Sequence, residues 1–207
     1  EHTDEGENAT RDYLDRVSER QRRLTRLLFE HGIHTLLIPL YRASLMPRDL
    51  LRDPAYLETI VKPGLETLNS REARALYDEM GVRVRFYGDY ESLFTELGLR
   101  ALIDHEPLLD ILAEIVHYTQ HNTRHLCFFG LFADAPLNTV SRLAVTYYRE
   151  HGEAPTKREL IKAYYGAYIG PVDLYIGFDK PRVFDVPLLD MGEADLYFTV
   201  SPSPYLG

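Results

Sequence analysis

Apolar and polar positions divide the chain into alternating helical and extended stretches. Between Thr10 and His31, Leu14, Val17, Leu24, Leu27 and Leu28 recur at helical spacing, and Gly32 is placed to end that helix. Arg16, Arg20, Arg22, Arg23 and Arg26 give the helix a basic face, expected to be solvated. Residues 1–9, EHTDEGENA, are acidic and lack an apolar period, so a mobile lead-in is expected there. After Gly32, IHTLLIPLY predicts a buried strand, and Pro47, Pro54 and Pro63 break the next segment into short helices. SREARALYDEM predicts a helix stopped by Gly81, VRVRFYG (82–88) a strand closed by Gly88-Asp89, and residues 90–123 mainly helix. HLCFFGLF (125–132) reads as a strand and 136–150 as a helix. A turn follows at Gly152–Pro155, and Thr156 with Glu159 forms a capping-box pattern opening another helix.

The last stretch, Val172 to Val200, holds two apolar runs, VDLYIGF and ADLYFTV, each of the length expected for a strand buried in a parallel sheet. Between them lies a loop rich in carboxylates, with Lys180 and Arg182. Ligands in open α/β sheets sit outside the carboxyl ends of strands, so this loop is a candidate anion or metal site; a solvated surface loop is the plain alternative. The alternation of strands and helices predicts an α/β fold: a mainly parallel central sheet flanked by helices, formed by residues 1–207 as one domain.

Composition narrows the function. The 207 residues suffice to bury a core without staples, and a net charge of -9 disfavours nucleic acid and anionic membranes as partners. The single cysteine, Cys127, lies in the apolar run LCFFGLF and reads as a buried thiol in a reducing compartment, hence a cytoplasmic expectation. No apolar run reaches membrane-spanning length. Fifteen Tyr and nine Phe without Trp supply aromatic faces that either line an apolar pocket and stabilise a cation or simply fill the core. The chain contains no GxGxxG, GxxxxGK[ST], HExxH or CxxC, which removes the main support for nucleotide-fold, P-loop and standard zinc readings. His117, His121 and His125 recur four apart, but the helix is expected to give way to a strand at His125, which works against three ligands from one face.

The succession GIHTLLIPLY, GVRVRFYGD (81–89) and PVDLYIGF with Arg182 and ADLYF resembles the cis-prenyltransferase family, of which undecaprenyl diphosphate synthase is the familiar member. The blocks LLFEHGI (27–33), FYGDY (86–90), HGEAPTKRELIKAYYGAYI (151–169) and IGFDKPRVFDVPLL with LYFTVSPSPY look like its tuberculosinyl transferase and diterpene synthase branch. By that resemblance, Tyr13 and Tyr56 take part in catalysis. Tyr41, Arg42, Phe86 and Tyr87, which follow the carboxyl ends of their strands, wall the substrate pocket, and Arg182 is a retained phosphate ligand. Asp195 stands where elongating relatives use a Glu to help bind Mg²⁺, the implied cofactor. Asp89 and Asp185 match family positions and fit a helix-capping or structural role equally well.

Departures from the elongating members bear on the reaction. Their second-substrate site uses an Arg where this chain has Ile176 and a Ser where it has Phe184, and LFADAP stands in place of their Asn-Tyr-Gly-Gly-Arg motif. Neither an Ile nor a Phe side chain can hydrogen-bond a diphosphate. The resemblance therefore implies ionisation of one allylic C15–C20 diphosphate and capture of the cation by water or a nucleoside, in a homodimer. A chain-elongating enzyme and a non-catalytic partner subunit are the alternatives. The family's Asp-Gly diphosphate segment lies upstream of the long helix, so the residues are expected to be part of a longer chain that also continues into C-terminal helices.

Overall fold

The computed structural model describes residues 2–42, 56–91, 106–133, 135–178 and 193–199. Helix α1 (His2–Glu30) is followed by strand β1 (Thr35–Arg42), a π-turn (Leu57–Val61), α2 (Lys62–Glu66), a 3-10 turn (Thr67–Asn69) and α3 (Arg71–Met80). Then come β2 (Val82–Tyr87), α4 (Glu106–Thr119), β3 (His125–Phe132), α5 (Pro136–His151), α6 (Lys157–Tyr165), β4 (Leu174–Phe178) and β5 (Asp195–Thr199).

The first helix is longer than its apolar period predicts. It begins at His2, so the expected mobile lead-in is instead helical. Its far end closes as Gly32 predicts. Gly32 adopts φ +90°, its N–H donates to Phe29 O and the Ile33 N–H to Leu28 O, which together make a Schellman motif.

Three strands pair in parallel in the order β1-β3-β2, with β3 in the middle. A central parallel strand is covered on both faces, and β3 alternates between two cores accordingly. Cys127, Phe129 and Leu131 face a core built with Phe29 of α1, Leu76, Tyr77 and Met80 of α3, and Leu112 and Ile115 of α4. Phe128 and Phe132 face the other way, onto Tyr87, Ile161, Tyr164 and Tyr165. Helices thus lie on both sides of the sheet. His125, expected where helix gives way to strand, opens β3, and its buried ring stacks on Phe29 with centroids 4.3 Å apart.

Local capping follows the sequence closely. The Ala73 N–H donates to Ser70 Oγ at 3.2 Å at the start of α3, and Gly81 ends that helix in the left-handed region. At the start of α6 the Thr156 N–H donates to Glu159 Oε2 at 2.7 Å, and the Glu159 N–H returns to Thr156 Oγ1 at 3.4 Å. Tyr147 on α5 donates to Glu159 Oε1 at 2.6 Å and so ties the two helices together. The Tyr147 hydroxyl and the Thr156 donors hold the Glu159 carboxyl at about 2, below its ordinary 4.5. A depressed carboxyl stabilises the fold fully above its unfolded value and loses that contribution as pH falls through its folded one. Stability is therefore expected to drop between about pH 4.5 and pH 2, and Glu159→Gln to flatten that slope in acid unfolding followed by circular dichroism; an unchanged slope counts against this pairing.

One expectation about the strands fails. β4 and β5 form and pair in parallel, Leu174 beside Asp195, but among the described residues they make a separate two-stranded sheet. They are only partly buried: Leu174, Leu196 and Tyr197 are exposed, whereas Gly177 is buried. Burial of a strand depends on the layers that cover it, which an apolar run does not itself specify.

Candidate active site

Between α1, the segment from Tyr56 to Leu68, α3 and one face of the β1-β3 pair lies a cavity of about 430 Å³, within the ~300–1,000 Å³ usual for small-ligand sites. Each wall follows from local structure. α1 contributes Leu14, Val17, Ser18, Gln21, Arg22 and Thr25, whose spacing places them on one helical face. β3 contributes Cys127, Phe129 and Leu131, the alternate residues of one strand face.

β1 contributes two consecutive residues, Leu40 and Tyr41, although neighbours along a strand normally point to opposite faces. The register explains it. Pro39 pairs with Gly130 and Tyr41 with Leu131, leaving Leu40 as an extra residue. Pro39 cannot donate to the ladder, and a bulge at such a position turns two successive side chains toward one side. From the segment that follows, Tyr56, Ile60, Val61, Leu65 and Leu68 complete an apolar lining around Gly64 and Thr67.

The lining contains one basic residue, Arg22, and no carboxylate among the described residues. Such a wall suits a ligand that is mostly hydrocarbon with an anionic end. Tyr41 and Tyr56 stand close enough for their charges to interact. Burial, and then Tyr56, push the Tyr41 phenol up to about 12, so it stays protonated and acts as a hydrogen-bond donor. Burial also pushes the Cys127 thiol up, which keeps a nucleophilic thiolate out of the wall.

The residues singled out from the sequence do not all meet. Tyr41 and Tyr56 come together in the cavity. Tyr13 is 53% exposed, one residue before Leu14, and is not among the lining residues. Phe86 and Tyr87 are buried: Phe86 packs at 5.9 Å from Phe129 within the α1-side core, and Tyr87 belongs to the opposite core with Phe132 and Tyr165. Neither lines the cavity. Arg42 closes β1, with its side chain outside what is described, and Arg182, Phe184 and Asp185 lie outside the described residues. Asp195 stands exposed at the amino end of β5, and no group of three His, Cys, Asp or Glu side chains gathers among the described residues. Asp89 takes a structural part. Its carboxylate accepts from the Ala133 N–H at 2.9 Å and from Arg142 at 3.2 Å, joining the ends of β2 and β3 to α5.

Ser18, Gln21, Arg22 and Thr25 are the residues the sequence reading passed over. Arg22 belongs to the basic face that the sequence predicts to be solvated, yet it lines the cavity. The signal was present in the spacing of 14, 17, 18, 21, 22 and 25, but it mixes polar with apolar residues, so an apolar count alone misses it.

Comparisons with known proteins bear on this arrangement. No family model matches the chain. The chain is similar to the tuberculosinyl adenosine transferase of Mycobacterium tuberculosis (strain CDC 1551 / Oshkosh), 32% identical over 195 residues that cover 94% of this chain and 63% of that protein. It thus spans less than two thirds of the relative's length. The fold matches the crystal structure of a probable undecaprenyl diphosphate synthase from Campylobacter jejuni with a TM-score of 0.67, at 16% identity, over 93% of this chain and 83% of the other. No helix among the described residues is long and apolar enough to cross a membrane. With parallel strands between two helical layers and an apolar cavity opening against β1, the chain has the cis-prenyltransferase-like fold.

Proposed function

We propose that the chain is a prenyl-transferring enzyme that ionises an allylic C15–C20 diphosphate, the cation being captured by water or a nucleoside. The observation that carries the reading is the cavity: apolar walls, one guanidinium and no carboxylate among the described residues. Departure of diphosphate breaks the allylic C–O bond, with the electron pair leaving on oxygen. Arg22 and the protonated hydroxyls of Tyr41 and Tyr56 offer donors to the growing negative charge, and a dry site strengthens each such interaction. Tyr41, Tyr77 and Phe129 line the cavity with aromatic rings, which stabilise a cation without attacking it, and Cys127, kept protonated by burial, does not trap it.

Mg²⁺ is held to the same standard. Asp195 is exposed and outside the cavity, and no group of three His, Cys, Asp or Glu side chains gathers among the described residues. Mg²⁺ takes as few as one or two protein carboxylates beside phosphate oxygens, so Asp195 stays the proposed ligand, and the steps above are written for the chain's own groups. The elongating alternative requires a second diphosphate site, for which the half-buried Ile176 of β4 supplies no polar atom. A homodimer belongs to the same proposal, and the exposed Leu174 and Tyr197, which the register places on one face of the β4-β5 pair, offer an apolar face for a second copy. A monomeric mass by sedimentation at micromolar concentration would count against it.

The deciding experiment incubates the full-length protein with linear and bicyclic C10–C20 diphosphates, with and without Mg²⁺ and adenosine, and analyses products by mass spectrometry. Diphosphate release with a new terpenoid product supports the proposal; no turnover of any substrate sinks it. Tyr41→Phe and Tyr56→Phe are each expected to lower kcat/KM at least about tenfold, close to 1.4 kcal/mol of transition-state stabilisation, with little change in melting temperature. Tyr13 joins the proposal through its place beside Leu14, with a smaller expected loss of about threefold for Tyr13→Phe. Wild-type rates in all three variants would remove the tyrosines from the chemistry.

A further inference from the structure

Three polar side chains, Ser18, Gln21 and Thr25, line a cavity whose other walls are mostly hydrocarbon. They are spaced three and four apart on α1 and so form one row roughly 10 Å long. Their setting differs from that of two other hydroxyls in the wall. Tyr77 donates to Leu68 O at 3.0 Å and Thr67 to Gly64 O at 2.7 Å, so both are turned toward the protein. In the row, the Gln21 Nε2 reaches Thr25 Oγ1 only at 3.5 Å, and Thr25 is 6% exposed. A hydroxyl or amide beside hydrocarbon is stabilised by a further polar partner, which a water in the cavity would supply. A single water in a cavity is held by two to four polar partners, and this row offers three adjacent ones.

We propose that Ser18, Gln21 and Thr25 hold a water beside the prenyl chain and that this water is the acceptor, so that the product is an alcohol. The inference rests on the reading of the cavity as an ionisation site and chooses between its two acceptors. The allylic C–O bond breaks with its electron pair on the diphosphate, the water oxygen forms the new C–O bond, and the water's proton passes to the diphosphate. The products are the alcohol and hydrogen diphosphate. None of the three side chains is a base at neutral pH, so they are positioning residues. Without the held water, the cation instead loses a proton from carbon and becomes a hydrocarbon.

The test is a product ratio. The full-length protein is incubated with a linear C20 allylic diphosphate in isotopically labelled water, and labelled alcohol is measured against hydrocarbon by gas chromatography and mass spectrometry. The wild type is expected to give mainly labelled alcohol. In Gln21→Met, and in the paired Ser18→Ala with Thr25→Val, the alcohol-to-hydrocarbon ratio is expected to fall about tenfold or more. That ratio is internal to each reaction, so it does not depend on how much variant protein is folded. An unchanged ratio, unlabelled alcohol or a nucleoside adduct as the main product overturns the proposal. If no substrate releases diphosphate, the ionisation reading fails, and the row is judged by binding alone. A C20 alcohol is then expected to bind the wild type at least about fivefold tighter than the matched hydrocarbon, with the preference lost in Gln21→Met. Equal affinities overturn the row as a site for oxygen.

Discussion

Gly88→Ala is expected to be the most destabilising single-methyl substitution in the described chain. A Cβ at Gly88 falls 2.3 Å from Leu131 O and 2.7 Å from the Phe132 ring, and the residue sits at φ +95°. The left-handed backbone costs an alanine about 1–2 kcal/mol, and a steric overlap in a packed interior roughly 1–3 more. Together these give about 2–5 kcal/mol, and at ~2–4 °C per kcal/mol for a chain of this size, a melting temperature lowered by roughly 10 °C. Gly32→Ala supplies the control. Gly32 has φ +90° but nothing within 4 Å of its Cβ, so only the backbone cost applies. A Gly88→Ala protein that melts within about 2 °C of the Gly32→Ala protein would show that the close approach of β2 and β3 is not as tight as described. The position matters beyond stability, because Asp89 follows directly and bonds Ala133 and Arg142.

The largest effect on activity is expected from filling the cavity. Ala73 on α3 is 2% exposed and lines the wall. Ala73→Phe places a ring where the prenyl chain is proposed to lie, and a side chain entering empty space meets little of the strain that overpacking brings. With a C20 diphosphate, kcat/KM is expected to fall about a hundredfold, or ~2.7 kcal/mol, whereas a C10 diphosphate is expected to lose less than about tenfold. The comparison separates blocked volume from damaged chemistry. Equal losses for both lengths, with melting unchanged, would mean that the hydrocarbon does not occupy this cavity.

The two substitutions probe features of different visibility in the sequence. Gly88-Asp89 already marks the end of a strand, but only the packing of β2 against β3 shows that Leu131 O leaves no room for a methyl group. Tyr41 is legible as a pocket candidate from its place at a strand's carboxyl end and Tyr56 through family resemblance, whereas Arg22 is not, because helical wheels of charge look the same whether they face water or a cavity. Phe86 and Tyr87 follow a strand's carboxyl end, which suggests a pocket wall. Side-chain direction alternates along the strand, so the two go into opposite cores.

What the sequence determined by itself is local. Helix ends at Gly32 and Gly81, the Thr156–Glu159 capping box and the strand at 125–132 all rest on interactions within a few residues, and such interactions carry the same meaning in any fold. The tertiary structure decided which surfaces meet. It buried the β3 strand on both faces and left β4 and β5 only partly covered, although all three are apolar runs. It also brought residues from α1, β1, β3 and the segment around Tyr56 into one cavity, with the bulge at Leu40 turning Tyr41 inward. Burial and site assembly depend on residues far apart along the chain, so their outcome is set by packing rather than by any one stretch of sequence.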